Sequence, residues 1–194
     1  MNVCVYCGSS VGSRPEYADA AREFATALVR RGDTLVYGGG NVGLMGVIAD
    51  AVLASGGRAI GVMPRHLTER EIAHTTLTEL HVVETMHERK HRMASLADIF
   101  VLLPGGMGSW EEFCEALTWN QLGLHRKACG ILNVSNYYTG FVDLAQHAVR
   151  EGFLRSADYA NIIVDDDPSR LLASLENAVP QYAVKWMPAA ESTG

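Results

Sequence analysis

After an apolar run ending at Leu103, the sequence reads Pro104-Gly105-Gly106-Met107-Gly108-Ser109-Trp110-Glu111-Glu112 and then becomes an amphipathic helical pattern. Glycines at 105, 106 and 108 allow unusual backbone angles and close approach of a ligand to bare N–H groups, and Ser109 is placed to cap the helix. A phosphate is the ligand that such a cradle takes. The competing reading is a tight strand-to-helix turn with no ligand. Glu112 would lie in the first helical turn, where the dipole favours the ionised carboxylate and so the work of a general base or electrostatic stabiliser more than that of an acid. Glu115, three residues on, shares its face, as a partner to Glu112 or as a simple exposed carboxylate.

Two other motifs compete for a chemical role. Gly38-Gly39-Gly40-Asn41-Val42-Gly43 contains G-x-G-x-x-G, but a dinucleotide fingerprint follows the first strand and has an acidic residue about 20 positions later for the ribose. Here that segment is Ile60-Gly61-Val62-Met63-Pro64. An NAD(P)-dependent oxidoreductase is therefore disfavoured, and close backbone approach to a smaller nucleotide is preferred. His87-Glu88-Arg89-Lys90-His91 matches the zinc-protease pattern H-E-x-x-H. Arg89 and Lys90 would set two positive charges beside a dication, and no third ligand stands at a diagnostic spacing, so no metal is expected. The same two cations suit phosphate or sugar oxygens, with a solvated helix face as the alternative.

Cys4 and Cys7 are an odd number of residues apart on one predicted strand and so point to opposite faces. With Cys114 and Cys129 they read as buried thiols of a reducing compartment. Lys90, Lys127 and Lys185 lack a recognisable setting for a pyridoxal Schiff base, and no G-x-S-x-G elbow is present. No cofactor is expected.

These residues must be positioned by a scaffold, and its pattern is regular. Short β-rich runs at 2–7, 34–37, 58–62, 81–84, 98–103, 128–132 and 161–164 alternate with helical patterns at 15–31, 43–55, 86–97, 109–122, 137–151 and 168–177. Repeated βα units imply an α/β fold with a mainly parallel central sheet of about seven strands and helices on both faces, with ligands bound beyond the strands' carboxyl ends. The 194 residues, 48% hydrophobic and 20% charged, suit one domain over 1–180 followed by a tail at 181–194. A net charge of −6 offers no basic face for a polymeric nucleic acid. Neither a signal peptide nor a membrane-spanning run is read, so a cytoplasmic location without membrane association is expected.

Tyr6-Cys7-Gly8-Ser9-Ser10, Gly38-Gly39-Gly40-x-x-Gly43-Leu44-Met45-Gly46, Met86-His87-x-Arg89-Lys90, the Pro104 to Glu112 motif and Thr118-Trp119-x-Gln121-Leu122-Gly123 occur in order along most of the chain. Together they resemble the Lonely Guy family of cytokinin riboside 5′-monophosphate phosphoribohydrolases. The resemblance implies a Rossmann-like three-layer sandwich, a homodimer, and hydrolysis of N6-substituted adenosine monophosphates, AMP included, to free base and ribose 5-phosphate. It implies Arg89 and Glu112 as the catalytic pair. It places substrate binding at Gly8, Ser9, Gly39, Gly40, Glu71, Met86, Lys90, Gly105, Gly106, Met107, Gly108, Ser109 and Thr118. Ser109 stands where threonine is usual, Trp110 where an aliphatic residue is more common, and His91 is unusual beside Lys90; these departures bear on substrate preference more than on reaction type. A non-catalytic nucleotide sensor would need only the glycine loops and a basic side chain, whereas Glu112 favours an enzyme.

Overall fold

The computed structural model describes residues 1–68 and 73–180. Seven strands, β1 (Asn2–Tyr6), β2 (Thr34–Tyr37), β3 (Arg58–Pro64), β4 (Glu79–Val83), β5 (Ile99–Leu102), β6 (Cys129–Leu132) and β7 (Ile162–Asp165), form one sheet in the order β4-β3-β2-β1-β5-β6-β7. Every neighbouring pair is parallel. The chain winds outward from β1 to β4, then crosses back to place β5 beside β1, which makes the gap between β1 and β5 the topological switch point.

Strand alternation decides which layer each residue joins. Val3 and Val5 face a core completed by Phe24 and Leu28 of α1 (Pro15–Arg30), Leu44 and Ile48 of α2 (Gly43–Ala54), and Leu171 and Leu172 of α8 (Pro168–Glu176). Cys4 and Tyr6 face the opposite core, with Met93 of α4 (Met86–Leu96), Phe113 of α5 (Met107–Gln121), and Tyr138 at the entry to α6 (Thr139–Arg150). This is the three-layer α/β sandwich expected from the alternating pattern. Two further short helices, α3 (Arg65–Thr68) and α7 (Ser156–Tyr159), and a single 3-10 turn at Val134–Asn136 have no counterpart in the sequence reading.

The helix boundaries differ from expectation where it matters. The helix after the glycine loop starts at Met107 with Gly106 as its cap, so Ser109 is not the cap. Gly106 takes the extended backbone that a cap requires, which lets the helix begin two residues before the serine; Ser109 is buried inside the first turn. Glu112 is then the sixth residue of α5 and belongs to its second turn. The expected dipole-favoured position is corrected accordingly.

Candidate active site

Arg89 leaves α4 and reaches under the carboxyl ends of β2 and β3. Its Nε donates to the Val62 carbonyl at 3.0 Å, one terminal nitrogen to the Gly38 carbonyl at 3.2 Å, and the other to Oε1 of Glu112 at 3.1 Å. Both side chains of the pair are largely buried, 11% and 12% exposed, so their charges meet with little screening by water. A Cβ built on Gly38 would fall 1.8 Å from Arg89. The first glycine of the triple is therefore required by the arginine rather than by a ligand.

The other glycines of that cluster also make room for protein. Gly43, at φ +58°, lets α2 start against the backbone of Ser9 and Ser10, with hypothetical Cβ distances of 2.2 and 2.3 Å. Gly39, at φ +78°, accepts a hydrogen bond from the His74 N–H at 3.1 Å, and Gly40 bridges Ala73. At Gly38 and Gly43 it is the chain itself that makes the close approach.

Burial pushes the Glu112 carboxyl above the ordinary carboxylate range; Arg89 opposes the rise, and the negative charges of Glu111 and Glu115 add to it. The reading of Glu112 as a carboxylate favoured in its ionised form by the helix dipole does not hold, because the group lies a turn too deep and in a drier place. A carboxyl whose pKa is raised is a better proton acceptor, once ionised, than an ordinary one.

Lys90, expected to be free for phosphate, is held between two carboxylates of α5: Nζ donates to Glu111 at 2.5 Å and to Glu115 at 3.0 Å. Glu115 is thereby a partner of Lys90 rather than a bare surface carboxylate. The α4–α5 seam carries two parallel links, Arg89 to Glu112 and Lys90 to Glu111 and Glu115.

At the switch point, a pocket of about 270 Å³ is lined by Gly8, Ser9, Gly12, Tyr17, Gly105 and Tyr137, among others. The Gly8 N–H donates to the Pro104 carbonyl at 3.0 Å, which ties the end of β1 to the loop after β5. Pro104, Gly105 and Gly106 form the opposite rim, and the first turn of α5, which follows, leaves N–H groups without intrahelical partners. Gly105 also has a packing reason: a Cβ there would meet Ser109 Oγ at 2.3 Å. The Arg89–Glu112 pair is not part of the lining of this pocket. It lies one turn of α5 below the loop, near Cys7, whose thiol is raised by burial and further by the Glu112 charge.

The structure does not bring every expected residue together. Met86 opens α4 and is half-exposed. Thr118 lies two turns of α5 beyond Glu112; its hydroxyl donates to the Cys114 carbonyl at 2.8 Å, and it lines a separate pocket with Leu117 and Asn161. Glu71 and the 181–194 tail lie outside the described residues. Cys4, Cys7 and Cys129 are buried, with the Cys129 thiol pushed up to about 12 by burial, but Cys114 on α5 is exposed, against the expectation for all four. In the H-E-x-x-H segment, Glu88 accepts from the Glu84 N–H at 2.9 Å while Thr85 accepts from the Glu88 N–H at 3.1 Å, which is the work of a helix cap. Tyr17 and Tyr137 were not anticipated; an asparagine-rich turn straight after the carboxyl end of β6 was the available signal for Tyr137.

A parallel open sheet, a glycine-rich helix start at its switch point and a buried arginine–carboxylate pair beside it make an α/β architecture suited to enzyme chemistry. Residues 45–175 match the family model described as "Possible lysine decarboxylase". The chain is 46% identical over 183 residues to the cytokinin riboside 5′-monophosphate phosphoribohydrolase LOG of Oryza sativa subsp. japonica, covering 94% of this chain and 75% of that protein. It is 45% identical over 180 residues to LOG1 of Arabidopsis thaliana, covering 93% and 84%. The protein belongs to this Lonely Guy family of phosphoribohydrolases. Among solved structures, the molybdenum cofactor binding protein of Rippkaea orientalis shares the fold, with a TM-score of 0.67 at 18% identity over 90% of this chain and 94% of that one.

Lysine chemistry finds no support at the described lysines. Lys90 is held by Glu111 and Glu115. Lys127 donates to the Ala94 carbonyl at 2.5 Å and lies over the Phe100 ring.

Proposed function

We propose that the protein hydrolyses the N-glycosidic bond of adenosine 5′-monophosphate and its N6-substituted cytokinin analogues, releasing free base and ribose 5-phosphate. The observation that carries this reading is the buried Glu112, held by Arg89 one helical turn below the glycine loop at the β1/β5 switch point. The identity to plant phosphoribohydrolases supplies the substrate class.

In this reading the phosphate sits at the start of α5, on the N–H groups of Gly106, Met107 and Gly108, with Gly8 and Ser9 across the pocket. The ribose is then directed down towards Glu112. As the bond between C1′ and the base nitrogen lengthens, positive charge develops at the sugar, and a buried carboxylate stabilises it. Glu112 accepts a proton from a water whose oxygen forms the new bond to C1′; the electron pair of the broken bond stays with the base, and the proton taken up by Glu112 passes to the base through solvent, so that the base leaves neutral and the carboxylate is restored. Arg89 keeps the carboxylate oriented, and Lys90 fixes the two flanking carboxylates so that their repulsion does not displace it. Gly39, Gly40, Met86 and Glu71 are taken as further substrate contacts from the family resemblance, whereas Thr118 lines a separate pocket. The protein works without a metal, in the cytoplasm, as a homodimer; exposed Leu122 and Leu124 beyond α5 give such an association apolar surface.

Incubation with AMP and with N6-isopentenyladenosine 5′-monophosphate, followed by chromatography of the free base, tests the reading. Release of base together with ribose 5-phosphate is expected. Nucleotide binding without release would instead make the protein a sensor.

A further inference from the structure

Two adjacent tyrosines grip the loop that the proposed function places against phosphate. The Tyr138 hydroxyl donates to the Leu103 carbonyl at 2.9 Å, and the Tyr137 hydroxyl donates to the Gly105 carbonyl at 2.7 Å. The two acceptors flank Pro104, so the brace spans the turn between β5 and α5. The rings meet edge to face at 4.8 Å, and Tyr137 also meets Tyr17 edge to face at 5.5 Å.

The tyrosines are delivered by an unusual backbone. Ser135 (φ 50°) and Asn136 (φ 62°) are the only non-glycine residues with positive φ among the described residues, and they are consecutive. Such angles cost energy and persist only where surrounding contacts over-determine them. Those contacts are present. The Asn133 side chain accepts from the Tyr138 N–H at 2.8 Å and donates to Thr139 at 3.3 Å, and the Tyr137 N–H donates to the Val134 carbonyl at 2.9 Å.

Tyr138 is core, with 2% exposure, whereas Tyr137 is 38% exposed and lines the switch-point pocket. A bond from an exposed phenol to a loop carbonyl adds little to folding, but it fixes the plane of the Gly105–Gly106 peptide. Glycine lacks the side chain that would otherwise restrict that plane. We infer that Tyr137 is a positioning residue for the nucleotide phosphate: held on the strained 135–136 turn, its hydroxyl locks the Gly105 carbonyl, so that the N–H groups at the start of α5 are pre-aimed at the phosphate while the Tyr137 and Tyr17 rings wall the pocket. The inference rests on the proposed phosphate site.

Tyr137→Phe and Tyr138→Phe separate positioning from structure. Tyr137→Phe is expected to weaken ribose 5-phosphate binding, measured by calorimetric titration, by about three- to ten-fold, the scale of one hydrogen bond. The KM for AMP should rise by the same factor, with kcat within two-fold of wild type and the melting temperature unchanged. Tyr138→Phe, which leaves a buried carbonyl unpaired, is expected to lower the melting temperature. Unchanged ribose 5-phosphate affinity in Tyr137→Phe overturns the inference, as does a loss of affinity that only accompanies a fall in melting temperature. If wild type binds ribose 5-phosphate but hydrolyses no nucleotide, the activity reading fails while the titration still tests Tyr137. If wild type binds none, both fail.

Discussion

Arg89 and Glu112 are joined at 3.1 Å across the α4–α5 seam, and the arginine's remaining nitrogens are bonded to carbonyls of β3 and of the loop after β2. The arginine is thus fixed by the sheet, and the carboxylate is fixed by the arginine. Such a chain of contacts favours a preorganised site, in which the charge that stabilises the transition state is in place before substrate arrives. It also means that the two residues should respond differently to mutation.

Glu112→Gln keeps the shape and an acceptor for Arg89 but removes the negative charge and the proton acceptor. Turnover of AMP should fall on the order of 10²–10⁴-fold, with near wild-type thermal unfolding. Wild-type release of adenine by this variant would remove Glu112 from the mechanism.

Gly38→Ala should act through Arg89. The added methyl would occupy the position of a guanidinium nitrogen, so the side chain must move and the link to Glu112 must break. We expect at least a ~10²-fold loss of kcat/KM, the scale of a small misplacement of a catalytic group. Gly140→Ala, in the first turn of α6 with nothing within 4 Å of the new carbon, serves as the control. It should leave activity intact and stabilise the protein by up to ~1 kcal/mol in chemical denaturation.

Much of the scaffold was legible in the sequence, because continuous apolar runs and helical periodicity report burial directly. The register of function along α5 was not. Ser109 has the chemistry of a cap, and only the extended backbone at Gly106 gives that role to the glycine three residues earlier than the pattern suggests. The glycines were visible but their reasons were not: a bare position at 38 is set by a side chain 51 residues away, a contact that no local pattern encodes. Lys90 read as a phosphate ligand because its partners Glu111 and Glu115 meet it only through the crossing of two helices.

The H-E-x-x-H match makes a separate prediction. Thr85 and Glu88 bond to backbone N–H groups at the start of α4, so Thr85→Ala should cost about 1 kcal/mol of stability, readable by urea unfolding. Addition of a chelator to wild type should leave base release unchanged. Loss of activity that zinc restores would reinstate a metal role for His87 and His91.

The last prediction concerns pH. Burial holds the Glu112 carboxyl above its ordinary value, with Glu111 and Glu115 raising it and Arg89 and Lys90 lowering it. If the ionised form accepts the proton of water, activity must fall as pH drops through this raised value, so the acid limb of kcat/KM should lie above the ordinary glutamate range. The stability linkage has the opposite sense: a carboxyl raised in the folded state favours its neutral form there, and its contribution to stability is full below the unfolded value and lost as pH rises through the folded one. Glu115→Gln removes a negative neighbour and should shift the acid limb down, whereas Lys90→Met removes a positive one and frees both flanking carboxylates, shifting it up. Profiles of kcat/KM for AMP between pH 4 and 8 read both shifts. Movement of the two limbs in the same direction would show that the titrating group is not Glu112, since a group close to both charges responds to their removal with opposite sign.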